Sequence, residues 1–152
     1  MDVELAKPFI KAAVDVLSTM AFVKPKVGKP YVKKNNTAVG DVTGLVGLTG
    51  EKNGSVSMSF DKKCAVSIVK NMLGDEIEDI MTDVKDAVGE LTNMISGQAR
   101  AGLAERGLVF EGSTPSVIMG DNHTISHVAK TPIMAIPFST DSGGFTIEFC
   151  FE

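Results

Sequence analysis

Apolar residues recur at spacings of three and four near the start of the chain, at Leu5, Phe9, Ala12, Ala13, Val16, Leu17 and Met20. These positions share one face of a helix, so the pattern predicts an amphipathic helix over residues 2–22. Asp2 and Glu4 stand in its first turn, where carboxylates suit the helix dipole. Further along, the period shortens to that of a strand. Val42, Gly44, Val46 and Leu48 alternate, and Val56, Met58 and Phe60 alternate against Ser55, Ser57 and Ser59. Asn53-Gly54 lies between the two runs and is a strong hairpin signal, which predicts two antiparallel strands with a buried Val/Met/Phe face and a wet serine face.

Asp61 is placed to cap a helix that runs to about Leu73, where Gly74 stops it. A longer helix starts near Glu78 or Asp79 and runs to about Arg106, before Gly107. Strand-like segments follow around residues 116–119, 132–138 and 145–151, the last two joined by Ser142-Gly143-Gly144. In the last strand Phe145, Ile147, Phe149 and Phe151 face away from Thr146, Glu148, Cys150 and Glu152. The order predicts an α+β fold, a mainly antiparallel sheet with helices packed on one face. A single domain over residues 1–152 is expected, because a chain of this length buries about two-thirds of its unfolded surface. The segment 132–138 is apolar on both faces and holds Pro132 and Pro137, which argue for an edge strand, a liability unless it is covered or paired with another subunit.

Composition mainly excludes. Two cysteines, Cys64 and Cys150, make no disulfide framework and suit a reducing compartment. No apolar run approaches the roughly 20 residues of a membrane span, and no secretory signal precedes the first helix, so a cytoplasmic location without membrane contact is expected. A formal net charge of −4 offers no overall attraction to nucleic acid. Charge is nevertheless uneven. Residues 24–36 carry five lysines (24, 26, 29, 33 and 34) and no acid, and Pro25, Gly28 and Pro30 make that stretch an exposed connector. Residues 75–90 carry seven acids against Lys85, a local charge of −6.

Familiar catalytic apparatus is missing. Cys64 is followed by Lys70 at the spacing of a phosphate loop, but the intervening AVSIV is an apolar helical run without glycine. His123 and His127 have the i,i+4 spacing of zinc ligands, yet follow Gly120-Asp121-Asn122 in an expected loop with no glutamate between them, so no metal site is assigned. Glycines 44, 47 and 50 lie in a strand pattern with no helix after them, which matches neither a dinucleotide fingerprint nor a P-loop.

The long helix stands out. At 100° per residue Val88, Leu91 and Ile95 fall within about 40° of Val84, while Asp86, Glu90, Asn93, Gly97 and Arg100 occupy a sector of about 80° on the opposite side. A solvated face is the ordinary explanation. Against it, Asp86 and Glu90 are like charges at i,i+4, Asn93 is a poor helix-interior residue, and Gly97 costs about 1 kcal/mol relative to alanine. Locally poor choices gather at functional sites, and a glycine one turn beyond an exposed asparagine leaves a flat spot for another backbone.

Glu90-Leu-Thr-Asn93-Met-Ile-Ser-Gly97 resembles the E-x-x-N-x-x-x-G signature of the CheC/CheX/FliY family of bacterial chemotaxis phosphatases. KPFIKAAVDVL, the connector ending in KPYVKK, and VTGLVGLTGEKNGSVSMSF ahead of CAVSIVKNMLG are similar to CheX-type members. CheC and FliY types carry two such helices. Here Glu90 and Asn93 form the one pair, since Glu4-Leu-Ala-Lys7 lacks the asparagine, which selects the CheX type and argues against a CheC-like role such as binding a receptor deamidase, or a flagellar-switch role like that of FliY.

The resemblance implies hydrolysis of the aspartyl phosphate of a CheY-like response regulator. Asn93 would orient the attacking water, and Glu90 would pair with the regulator's lysine. Asp86, Gly97 and Arg100 would belong to the docking surface. No cofactor of its own is expected, because Mg and the lysine sit on the phosphorylated partner. A homodimer is implied as well. The acidic stretch would favour encounter with a lysine-bearing partner, although a helix start welcomes acids anyway. A non-catalytic homodimeric binding module that docks a receiver domain or other signalling protein is the alternative, with no need of the asparagine.

Overall fold

The computed structural model describes residues 3–33, 37–50, 52–126 and 132–151. Asp2, Lys34, His127 and Glu152, to which roles or faces were assigned above, lie outside the described residues. Helix α1 (Ala6–Ala21) follows a 3-10 turn and buries Phe9, Ala12, Ala13, Val16 and Leu17, the face that the periodicity predicts. Its end is marked by Phe22 in the left-handed region (φ 55°), whose N–H closes on the Leu17 carbonyl. The strands are β1 (Lys26–Val27), β2 (Tyr31–Lys33), β3 (Thr37–Gly50) and β4 (Gly54–Phe60). Helices α2 (Lys62–Leu73) and α3 (Ile80–Ala104) come next, then β5 (Phe110–Gly112), β6 (Ser116–Ser126), β7 (Ile133–Thr140) and β8 (Gly143–Phe151).

All strand pairs are antiparallel, in the order β1-β7-β8-β4-β3-β5, with β2 also on β7 and β6 also on β3. The helices cover one face. Val46, Val56, Met58, Phe60, Ile136, Phe138, Ile147 and Phe149 form the core with α1, α2 and α3, and Phe9 stacks on Phe149 with centroids 4.4 Å apart. This is the expected α+β architecture.

Three expectations are corrected. The serine face is dry: Ser55, Ser57 and Ser59 are 2%, 0% and 5% exposed. β3 is irregular between Gly40 and Val42, and a Cβ on Gly40 would stand 2.9 Å from Ser59 Cβ. Thr43 donates to the Ser59 hydroxyl at 3.0 Å, and Lys33 of the basic connector lies 3.1 Å from Glu148 as a largely buried ion pair.

Second, the two prolines do not place β7 at an edge, because β1 and β2 pair with its outer side. The strand tolerates Pro137 because its missing N–H faces the interruption between β1 and β2, where the Gly28 N–H donates to the Pro137 carbonyl at 2.7 Å. Third, Gly120-Asp121-Asn122 is not a loop but an irregular stretch within β6. Asn122 takes φ 53°, and its N–H donates to Asp41 at 2.9 Å.

Candidate functional site

The start of α3 is built by two aspartates. Asp79 caps it by accepting from the Met81 N–H at 3.1 Å, and Asp83 accepts the Glu78 and Asp79 N–H groups at 3.0 and 3.3 Å. Part of the acidic excess is therefore helix-capping structure. Asp86 and Glu90 are not used in this way.

One side of α3 is fixed by close backbone approach. Val84, Val88, Leu91 and Ile95 are buried as the 100° stepping predicts, together with Ala87, Thr92, Ser96, Ala99 and Leu103. A Cβ on Gly44 of β3 would collide with the Thr92 side chain, so only glycine lets the helix settle there. The Thr92 hydroxyl donates back to the Val88 carbonyl at 2.7 Å, and a Cβ on Gly89 would be 3.2 Å from Val117 of β6. A helix clamped this closely fixes where its outer residues stand relative to the sheet.

On the outer side Asp86, Glu90 and Asn93 are exposed, and Gly97 and Arg100 are half-buried. The structure thus brings all five candidate residues onto one stripe. No side chain of Asp86, Glu90 and Asn93 makes a hydrogen bond or ion pair among the described residues. A Cβ on Gly97 would meet only Arg100 Nη2, at 3.8 Å, which leaves the expected flat spot. An amide and a carboxylate one turn apart, both uncommitted, can hydrogen-bond a water and a cation delivered from outside.

Cys64 is buried in α2, and burial pushes its thiol pKa up, which suits a core residue and not a nucleophile. His123 bridges the Gly120 carbonyl and the Thr43 hydroxyl, each at 2.8 Å. Among the described residues no group of three or more His, Cys, Asp or Glu side chains could hold a metal ion. A cavity of about 690 Å³ opens between Phe22, Lys24, Ser67, Asn71 and Asp141, and its lining includes none of the stripe residues.

Two contributors carried no interpretable signal in the sequence. Gly112 of β5 receives the Arg100 guanidinium, in a strand too short to be predicted. Asp41 accepts the Lys62 N–H at 3.0 Å and ties the start of α2 to β6, taking the capping role expected of Asp61. Asp61 instead accepts the Gly144 N–H at 3.0 Å.

Comparison with known proteins bears on the same helix. The sequence profile described as "Chemotaxis phosphatase CheX" matches residues 42–139, a span that includes Glu90 and Asn93. The chain belongs to the CheX family. It is 26% identical over 137 residues, 88% of each chain, to the CheY-P phosphatase CheX of Thermotoga maritima. The crystal structure of the chemotaxis protein CheX from Desulfovibrio desulfuricans is 65% identical, with a TM-score of 0.94 over 98% of this chain and 99% of that one. CheX of Borrelia burgdorferi, crystallised as a CheX-CheY-BeF3-Mg complex, is 26% identical with a TM-score of 0.82 over 99% of each chain. This CheX family member thus shares its fold with a relative solved together with CheY, and phosphatase activity belongs to the family.

Proposed function

We propose that this chain dephosphorylates the aspartyl phosphate of a CheY-like response regulator, with Asn93 orienting the attacking water. The observation that carries the proposal is the pair Glu90 and Asn93, exposed and uncommitted on a helix whose other side is locked to the sheet. Support comes from the family and from relatives named as a CheY-P phosphatase and as a CheX-CheY complex.

An acyl phosphate held on the regulator with its own metal and lysine needs little further covalent chemistry. It lacks a water in line with the scissile bond. The Asn93 amide can accept a hydrogen bond from that water and donate another without changing protonation, so it can insert as a positioning group. Glu90 pairs with the regulator's lysine and sets the register, while Asp86, Gly97 and Arg100 form the surrounding surface. Mg enters with the substrate. Among the described residues no helix is long and apolar enough to cross a membrane, and a cytoplasmic location is proposed with the cytoplasmic partner.

The homodimer is also a proposal. Since β7 is interior, the candidate contact moves to the neighbouring β1 and β2, which expose Val27 (44%), Tyr31 (48%) and Val32 (50%) on a sheet edge. Tyr31→Lys with Val32→Lys should shift the mass in light scattering from dimer to monomer.

The deciding experiment follows loss of phosphate from a phosphorylated CheY-like regulator with and without this protein. Acceleration by wild type and none by Asn93→Ala is expected. Binding without acceleration would replace the enzyme with the receiver-docking module.

A further inference from the structure

Arg100 is built into the stripe in a way that the positioning of water does not require. A Cβ on Gly112 would stand 3.0 Å from Cζ and Nε and 3.1 Å from Nη2, so the guanidinium lies face-on against the backbone of β5. Its Nε is buried and has no hydrogen-bond partner, as is Ser96 Oγ one turn earlier. Buried polar atoms are nearly always satisfied, so an arginine held by packing alone is one whose charge the fold does not consume. Arg100 also forms no ion pair among the described residues, in a chain of net charge −4. Gly97 keeps the Nη2 side uncovered.

We infer that Arg100 receives an acidic side chain of the phosphorylated receiver domain and thereby sets the direction in which that domain lies along α3. The inference rests on the phosphatase function proposed above. Charge along the stripe runs from Asp86 and Glu90, through uncharged Asn93 and Gly97, to Arg100. Arg100 is about 10 Å from Asn93 and about 15 Å from Glu90 along the axis at 1.5 Å per residue. Its guanidinium lies against Gly112 with Nη2 beside Gly97, one turn short of Asn93, so the acceptor that the inference assigns to it is a carboxylate beside Gly97 and not the phosphoryl group that Asn93 engages.

A partner with a lysine opposite Glu90 and a carboxylate opposite Arg100 fits in one direction. Turned end for end, it sets like charges together at both ends, which costs affinity and suppresses the wrong pose. The planar fork of arginine suits a carboxylate in two-point contact, and the covered Nε leaves the Nη groups to make it.

The test measures dephosphorylation against receiver concentration for wild type, Arg100→Gln and Arg100→Lys, with binding to the beryllofluoride-activated receiver measured separately. Arg100→Gln should raise KM about tenfold, the loss of one charge-assisted contact, with kcat unchanged. Arg100→Lys should recover part of that loss, and added salt should narrow the difference between variants. Arg100→Glu should be rescued by one acid-to-lysine change on the receiver, which names the partner residue.

An unchanged KM in folded Arg100→Gln overturns the inference, and so does a lower kcat at unchanged KM. A lowered melting temperature with unchanged KM also overturns it, since Arg100 is then structural. If wild type binds the activated receiver without speeding phosphate loss, the phosphatase function fails, and the affinity of Arg100→Gln still decides the role of Arg100.

Discussion

Replacing Gly97 with alanine separates the needs of the fold from those of docking. In the interior of α3 the substitution should stabilise, because glycine is about 1 kcal/mol worse than alanine in a helix. Space does not oppose it: the new methyl would meet only Arg100 Nη2, at 3.8 Å, an ordinary van der Waals distance. For 152 residues at about 2.1 cal/mol/K each, the unfolding entropy at Tm is about 0.3 kcal/mol/K, so Tm should rise by about 3 °C. The same methyl projects into the plane that a docking backbone would occupy beside Asn93. Displacements of about 1 Å in a reacting geometry can cost up to about a hundredfold, so kcat/KM for the phosphorylated regulator should fall at least about tenfold. Calorimetry and phosphate-release kinetics on one preparation read both effects. A rise in Tm with unchanged kcat/KM would show that the flat spot has no docking role. A fall in Tm would refute the helical argument itself.

Other variants test other links. Glu90→Ala should weaken binding of the activated receiver as well as rate, and a wild-type binding curve for it would remove the register role. Gly44→Ala should destabilise by about 1–3 kcal/mol in a denaturant melt, because its methyl overlaps the buried Thr92 side chain. Cys64 and Cys150 are each 0% exposed, so a thiol reagent should label neither in the native protein at neutral pH and both after denaturation. Asp41 is held below the usual carboxylate range by the N–H groups of Asn122 and Lys62. Between the lowered folded pKa and the unfolded value of about 4 the unfolded chain binds more protons, so this contribution is intact above that window and fades as pH falls through it. The Tm gap between wild type and Asp41→Ala should accordingly narrow in acid.

The helices were legible because their burial is periodic. Val84, Val88, Leu91 and Ile95 in α3, and Phe9, Val16 and Leu17 in α1, face the core as spacing alone requires. The opposite stripe was legible for the same reason, since an angle around a helix axis follows from residue number. The serine face of β4 was misread, because alternation separates the two faces of a strand but does not say what lies over the second one. Pro137 was misread because an edge strand and an interior strand beside an interrupted neighbour remove the same hydrogen bond.

Local order along the chain therefore determined the helices and the longer strands, their apolar faces and the grouping of Asp86, Glu90, Asn93, Gly97 and Arg100 on one side of one helix, but not the short strands β1, β2 and β5. Contacts between distant residues decided the rest. Gly40 comes close to Ser59, Gly44 admits Thr92, and Gly112 receives Arg100. Each is a close approach between residues that belong to different elements. Such an approach depends on where three-dimensional packing leaves room for a missing side chain, and no periodicity in the sequence records that.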